Sequence, residues 1–184
     1  MISATMKAAV YHGAGDVRIE TVNTPSPAHN QVLVKILRSG MCGTDASEFK
    51  SGPRIFATEK EHPVSGHKGP MILGHEFIGE IVQVGSQVKN YSGGELVATG
   101  AGYSCGDCSM CLVGRTNLCD KYVTSGLNRD GGMAEFAVVE ESTLELVPDG
   151  LNLDIAGLAQ PLAVGIHAAR RANVQDGDRV ILIG

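Results

Sequence analysis

Cys105-Gly106-Asp107-Cys108-Ser109-Met110-Cys111, closed by Gly114-Arg115-Thr116-Asn117-Leu118-Cys119, is the stretch on which the reading of this sequence turns. Four of the chain's five cysteines lie in it. Two residues between successive sulfurs let one turn of chain aim neighbouring thiolates at a common point, and the segment 112–118 brings in the fourth. That is the arrangement of a closed, structural zinc site made by Cys105, Cys108, Cys111 and Cys119. Two disulfides would need an oxidising compartment. Nothing before Lys7 has the basic start and apolar core of a signal peptide, and no apolar run nears the roughly 20 residues that span a bilayer. The expected location is therefore cytoplasmic. A zinc saturated by four protein ligands has no place for substrate, so any chemistry must be sought elsewhere, beginning with the fifth cysteine, Cys42.

At 184 residues, with 43% hydrophobic and 19% charged content, the chain has the composition of a globular protein. A net charge of −5 with no basic stripe argues against nucleic acid or an anionic membrane as partner. The 24 glycines are spread along the chain. With the short Val/Ile runs between them they predict many short strands joined by tight turns.

Outward from the cysteines, residues 7–11 and 17–22 predict a hairpin about Gly13-Ala14-Gly15-Asp16. Residues 31–38 form a strand that delivers Ser39-Gly40-Met41-Cys42-Gly43-Thr44-Asp45 at a sharp bend, with a helical turn expected over 46–50. Ser51 to Pro70 lacks periodicity and is read as a functional surface loop; its His62 and His67 could reach a substrate, although exposed loop histidines are usually idle. A turn carrying His75 and Glu76 leads into a long strand, where Gly79 marks a bulge or a close backbone approach. Further strands are expected at 95–99, within 131–139 and at 143–147. Residues 151–172 have helical spacing, capped by Asn152 or Asp154 and broken near Gln160 by Pro161. Arg179 to Gly184 is a continuous apolar run, as in a strand buried in a parallel sheet. The fold expected is mainly β with a few helices, a barrel-like domain followed by a helical connection.

Cys42, His75 and Glu76 offer one thiolate, one imidazole and one carboxylate, and three protein ligands with one open position define a catalytic zinc. Their spacing alone is a weak signal, since a lone buried cysteine is usually a small hydrophobe.

Five motifs stand together in one order: Gly40-Met41-Cys42-Gly43-Thr44-Asp45, Gly74-His75-Glu76, the four-cysteine stretch, Gly131-Gly132-Met133-Ala134-Glu135-Phe136, and Gln160-Pro161-Leu162-Ala163-Val164. In this the chain resembles the catalytic, GroES-like domain of zinc-dependent medium-chain alcohol dehydrogenases, and most closely their sorbitol, butanediol and threonine dehydrogenase branch. The resemblance implies a GroES-like, partly open β-barrel over residues 1–152, with a structural zinc lobe at 103–121. Residues 153–184 would then be connecting helices and the first strand of a Rossmann domain that this sequence does not contain. It implies two zinc ions per chain, the catalytic one held by Cys42, His75 and Glu76. Thr44 would pass on the substrate proton, and Asp45 would fix the tautomer of His75. Gly184 would open the NAD or NADP site. Gln160 stands where this branch usually has Glu; as a neutral side chain near the metal it would leave the zinc a stronger Lewis acid. Glu95 is a second departure, read as structural. The activity implied is NAD(P)-dependent oxidation of a secondary alcohol or polyol to a ketone, by a full-length enzyme that is a homo-oligomer and takes a small-molecule alcohol. As a fragment, the chain alone would show no turnover. The competing expectations are a non-enzymatic zinc-binding interaction module, with Cys42 merely packed in the core, and a dithiol redox protein.

Overall fold

Alternation of apolar and polar side chains builds the first sheet. The computed structural model describes residues 1–183, and in it β1 (Thr5–Gly13) and β2 (Asp16–Asn23) form the expected antiparallel hairpin, turning at Gly15 with φ +73°. Met6, Ala8 and Val10 share one face of β1 and pack against Ile72. The next strand, β3 (Gln31–Ser39), alternates poorly because it is covered on both sides: Val32, Leu33 and Val34 are all buried. Its chain enters α1 (Gly43–Ser51), then a long connection without helix or strand to β4 (Met71–Ile72) and β5 (Phe77–Val84). The expected helical turn at 46–50 is thus a full helix that already holds Thr44 and Asp45. Beyond it come β6 (Leu96–Thr99), β7 (Gly102–Tyr103), α2 (Ser109–Leu112), β8 (Val123–Thr124), β9 (Phe136–Glu140) and β10 (Leu144–Leu146).

The strands make one sheet in the order β2-β1-β4, a second in the order β10-β6-β5-β3-β9, and the β7-β8 pair that roots the cysteine lobe. The two larger sheets do not close into a ring. They meet through residues 133–135: Ala9 N donates to Met133 O, Glu135 N to Lys7 O, and Ile36 N to Glu135 O. The result is the partly open barrel that the sequence implied. The core inside it is Val32, Val34, Phe77, Ile81, Val97, Ala137, Val139 and Leu144, aliphatic apart from one Phe. Arg129 pins the lobe to this sheet, lying 4.8 Å from the centre of the Tyr103 ring while its guanidinium donates to the buried Glu140 at 2.7 Å. Glu95 is structural, as expected: its carboxylate accepts from Ser92 N and Gly93 N and closes that turn.

Asn152 caps α3 (Leu153–Ala156), accepting from Asp154 N at 2.8 Å, and α4 (Ala159–Arg171) follows after a break at Gly157 and Leu158. Pro161 sits in the first turn of α4, where its missing N–H is not needed. The strand expected from Arg179 onward does not form among the described residues. Among the described residues Val180 to Ile183 pair with no strand and are 55–95% exposed; a parallel-sheet strand forms only beside its neighbours. Gly184 lies outside the described residues.

Gly79 faces β3 where its register with β5 shifts. A Cβ there would stand 2.1 Å from Lys35 O and 2.6 Å from Val34 Cγ1, which the central sheet cannot yield without moving backbone. Gly79→Ala is expected to lower unfolding free energy by about 1–3 kcal/mol in chemical denaturation. Gly13→Ala, where no atom lies within 4 Å of the added Cβ, should stay within about 0.5 kcal/mol of wild type.

Candidate functional site

The end of β3 and the start of α1 deliver the first donor. Cys42 occupies the N-cap position of α1, and its backbone N–H is held by Asp45 Oδ2 at 2.9 Å. A carboxylate at the third helical position reaching back to the N-cap amide is half of a capping box, and it fixes the direction in which the Cys42 thiol leaves the backbone. Thr44, one turn-position on, has its Oγ1 3.8 Å from Cys42 Sγ.

His75 and Glu76 come from the turn between β4 and β5, and both are buried. This turn is shaped by backbone packed on backbone. Gly74 takes φ +97°, and Cβ atoms at Gly126 and Gly131 would stand 2.4 and 2.1 Å from its carbonyl oxygen. Gly132 N donates to that oxygen at 2.9 Å, and Met133 N donates to Leu73 O at 2.8 Å. On the other side, Gly40 N donates to Glu76 O at 2.6 Å, and a Cβ on Gly40 would lie 2.7 Å from Glu76 Oε2. The motif glycines Gly40, Gly74 and Gly131, with Gly126, therefore let three chain segments close around His75-Glu76.

The ligand atoms of Cys42, His75 and Glu76 lie within 4.8 Å of one another. His75 Nδ1 faces Asp45 Oδ1 at 3.8 Å, and both atoms are buried without a hydrogen-bond partner among the described residues. Leaving two such atoms unsatisfied is costly; with Nδ1 turned towards Asp45, Nε2 is the ring nitrogen on the other side. Burial raises the Asp45 carboxyl above the ordinary aspartate range; the Cys42 amide and His75 pull it down again, and Glu76 pushes it up. A thiolate, an imidazole with a carboxylate behind it and a carboxylate fit a divalent metal with room for a further ligand.

Cys105, Cys108, Cys111 and Cys119 form a second set within 4.8 Å, all four as free thiols. Backbone N–H groups converge on the sulfurs: Cys105 N and Lys121 N each lie 3.3 Å from Cys119 Sγ. The amides of Cys111 and Asp120 hold the Cys108 thiol down to about 6. Cys105 is pushed up to about 12, first by its hydrogen bond to Asp107. Four sulfurs without a fifth donor fit a closed tetrahedral site.

Of the remaining predicted residues, Gln160 is half-buried in the first turn of α4, a helix that lies against β6. His62 and His67 are absorbed by their own loop, His62 Nδ1 meeting the Ser65 hydroxyl at 3.1 Å and His67 Nε2 meeting Gly69 O at 3.3 Å. The sequence did not single out Glu48, which is 1% exposed while its neighbour Phe49 is 47% exposed; binary patterning ranks the two the other way round, so no pattern could have found it.

A family model described as the alcohol dehydrogenase GroES-like domain matches residues 28–149. Sorbitol dehydrogenase of Bacillus subtilis is 37% identical over 186 residues, covering 100% of this chain and 50% of that protein. The crystal structure of 2R,3R-butanediol dehydrogenase from Bacillus subtilis superposes with a TM-score of 0.87 at 34% identity, covering 95% of this chain and 49% of that one. An Escherichia coli short chain alcohol dehydrogenase complexed with NADH gives 0.81 at 26% identity, covering 96% and 48%. The chain spans about half the length of the curated relatives it matches. Among the described residues no helix is long and apolar enough to cross a membrane. With the family model covering most of the chain, and with motifs, fold and relatives in agreement, this chain belongs to the GroES-like domain family of the zinc-dependent medium-chain alcohol dehydrogenases.

Proposed function

We propose that this chain supplies the zinc-binding catalytic domain of an NAD(P)-dependent dehydrogenase that oxidises a secondary alcohol or polyol to a ketone. The reading makes residues 1–152 that domain, with the lobe at 103–121 as a structural zinc site, and 153–184 the connection towards a nucleotide-binding domain. The observation that supports it best is the pair of unlike donor sets, one of four sulfurs and one of Cys42, His75 and Glu76 backed by Asp45. Zinc bound at the second set would act as a Lewis acid on the substrate oxygen.

The chain's own residues do the rest. Cys42 and Glu76 supply two negative charges, and the neutral Gln160 adds none if it is turned towards them. Asp45 holds His75 in the tautomer that keeps Nε2 free. Thr44 Oγ1, beside Cys42, would take the substrate proton outward. Nicotinamide, as NAD or NADP, would accept the hydride. The protein acts on a small-molecule alcohol in the cytoplasm, as a homo-oligomer in its full-length form, and uses neither nucleic acid nor a membrane.

Metal analysis decides between this and an interaction module with one structural zinc. The chain is expected to hold two zinc ions, Cys42→Ala one, and Cys111→Ser should lose the lobe metal and lower the melting temperature; a wild-type content of one zinc, unchanged by Cys42→Ala, overturns the dehydrogenase reading. Asp45→Asn is expected to weaken the second zinc about 10–100-fold in chelator competition, since supports of this kind contribute that much to affinity. Gly40→Ala, which intrudes on Glu76 Oε2, should weaken the same ion about tenfold or more and leave the lobe ion in place.

A further inference from the structure

Glu48 is a buried carboxylate to which the proposed chemistry gives no task. It lies in the last turn of α1, where the helix carbonyls disfavour a negative charge, and among the described residues no Lys, Arg or His side chain pairs with it. A carboxylate stays in such a place only if hydrogen bonds replace water. All of these come from one short piece of backbone. Arg54 N donates to Oε2 at 2.9 Å and to Oε1 at 3.2 Å, and Ile55 N donates to Oε1 at 2.9 Å.

The carbonyl of the same residue is engaged as well. It accepts from Gly52 N at 2.8 Å and from the Tyr11 hydroxyl at 3.0 Å. Gly52 has to be glycine here, for a Cβ would stand 2.4 Å from Glu48 Oε2 and 2.7 Å from the Tyr11 hydroxyl. Phe56 then meets Tyr11 edge-on, ring centres 4.9 Å apart at 85°. Past this knot the chain folds round a cavity of about 410 Å³ that residues 53–63 line by themselves, Arg54, Ile55, Phe56, Lys60 and His62 among them. The wall has no helix or strand of its own; the knot holds its root, while the bond of Gly69 N to Ala57 O and that of the Ser65 hydroxyl to Asn128 O hold it further along.

We propose that Glu48 is a positioning residue: its carboxylate ties the loop 53–63 to the helix whose other end presents Cys42 and Thr44. A nine-residue helix is about 13 Å long, so one rigid rod carries both the candidate metal ligand and the root of the loop. The functional meaning, that this rod fixes the loop relative to a metal held at Cys42, rests on the metal reading above. A carboxylate aimed at two successive amides sets the loop's direction as well as its distance, which an apolar contact would not do.

The test uses the chain with zinc in the four-cysteine site and Co²⁺ in the other, followed by NMR. In Glu48→Gln the amides of Arg54 and Ile55 should exchange at least tenfold faster, while those of β3 and β5 change less than twofold. The cobalt-induced shifts of residues 54–62 should shrink and broaden, and those of β1 and β3 should stay as in wild type. Glu48→Asp, which keeps the charge one methylene shorter, should recover part of both effects; if Glu48→Gln does not fold, Glu48→Asp is read in its place against the same two criteria. Exchange that rises in equal proportion at every amide, or loop shifts identical to wild type, overturns the proposal. If the wild type shows no cobalt-induced shifts around Cys42, it is the metal reading that has failed, and the exchange pattern alone then decides the role of Glu48.

Discussion

The hydrogen bond from the Cys42 amide to Asp45 Oδ2 is the contact on which the candidate site depends. It is local, three residues apart, yet it sets a long-range geometry because the other oxygen of the same buried carboxylate faces His75. One oxygen caps the helix and fixes Cys42; the other faces, at 3.8 Å, the imidazole that arrives from the turn before β5. A carboxylate placed this deep is unfavourable unless both oxygens are used. The unmatched pair of His75 Nδ1 and Asp45 Oδ1 therefore reads as an arrangement built for a charge at the far side of the ring.

Around that contact the backbone is packed so closely that little can move. Gly74, Gly126 and Gly131 bring three segments together at distances that no Cβ would allow, and Gly40 clears the space for the Glu76 carboxylate. Interiors packed this tightly transmit displacement instead of absorbing it. The cysteine lobe stands apart from this rigidity. It rests on the two-residue strands β7 and β8 and the four-residue helix α2, so its order has to come from its sulfurs and from the Arg129 bridge. Under the proposed function the two donor sets would divide the work accordingly: one would fix a projecting loop, the other would present an open position.

The strands of the hairpin and of the central sheet were legible because their apolar patterns are set by burial on one or both faces. The cysteine lobe was legible because its four sulfur donors are local in sequence. Cys42, His75 and Glu76 became a set only through the motifs around them, since spacing says nothing about a contact made across β3 and β5. The extent of α1 was not legible: Gly43 gives no helical signal, and the Asp45 cap shows only when its carboxylate is seen to turn back on Cys42. Glu48 was hidden by its own chemistry, an acid buried next to an exposed Phe49. The run Val180 to Ile183 was read as a strand from its composition, but a parallel strand forms only beside its neighbours, and among the described residues it pairs with none.

The two donor sets imply that one chain holds two metals of different character. Anomalous diffraction at the zinc edge from crystals of the zinc-loaded chain tests it most directly. The account predicts two peaks, one enclosed by the sulfurs of Cys105, Cys108, Cys111 and Cys119, and one bonded to Cys42 Sγ, to His75 Nε2 and to a Glu76 oxygen with a further position open. A single peak in the lobe, with His75 and Asp45 closing on each other in its absence, would contradict it.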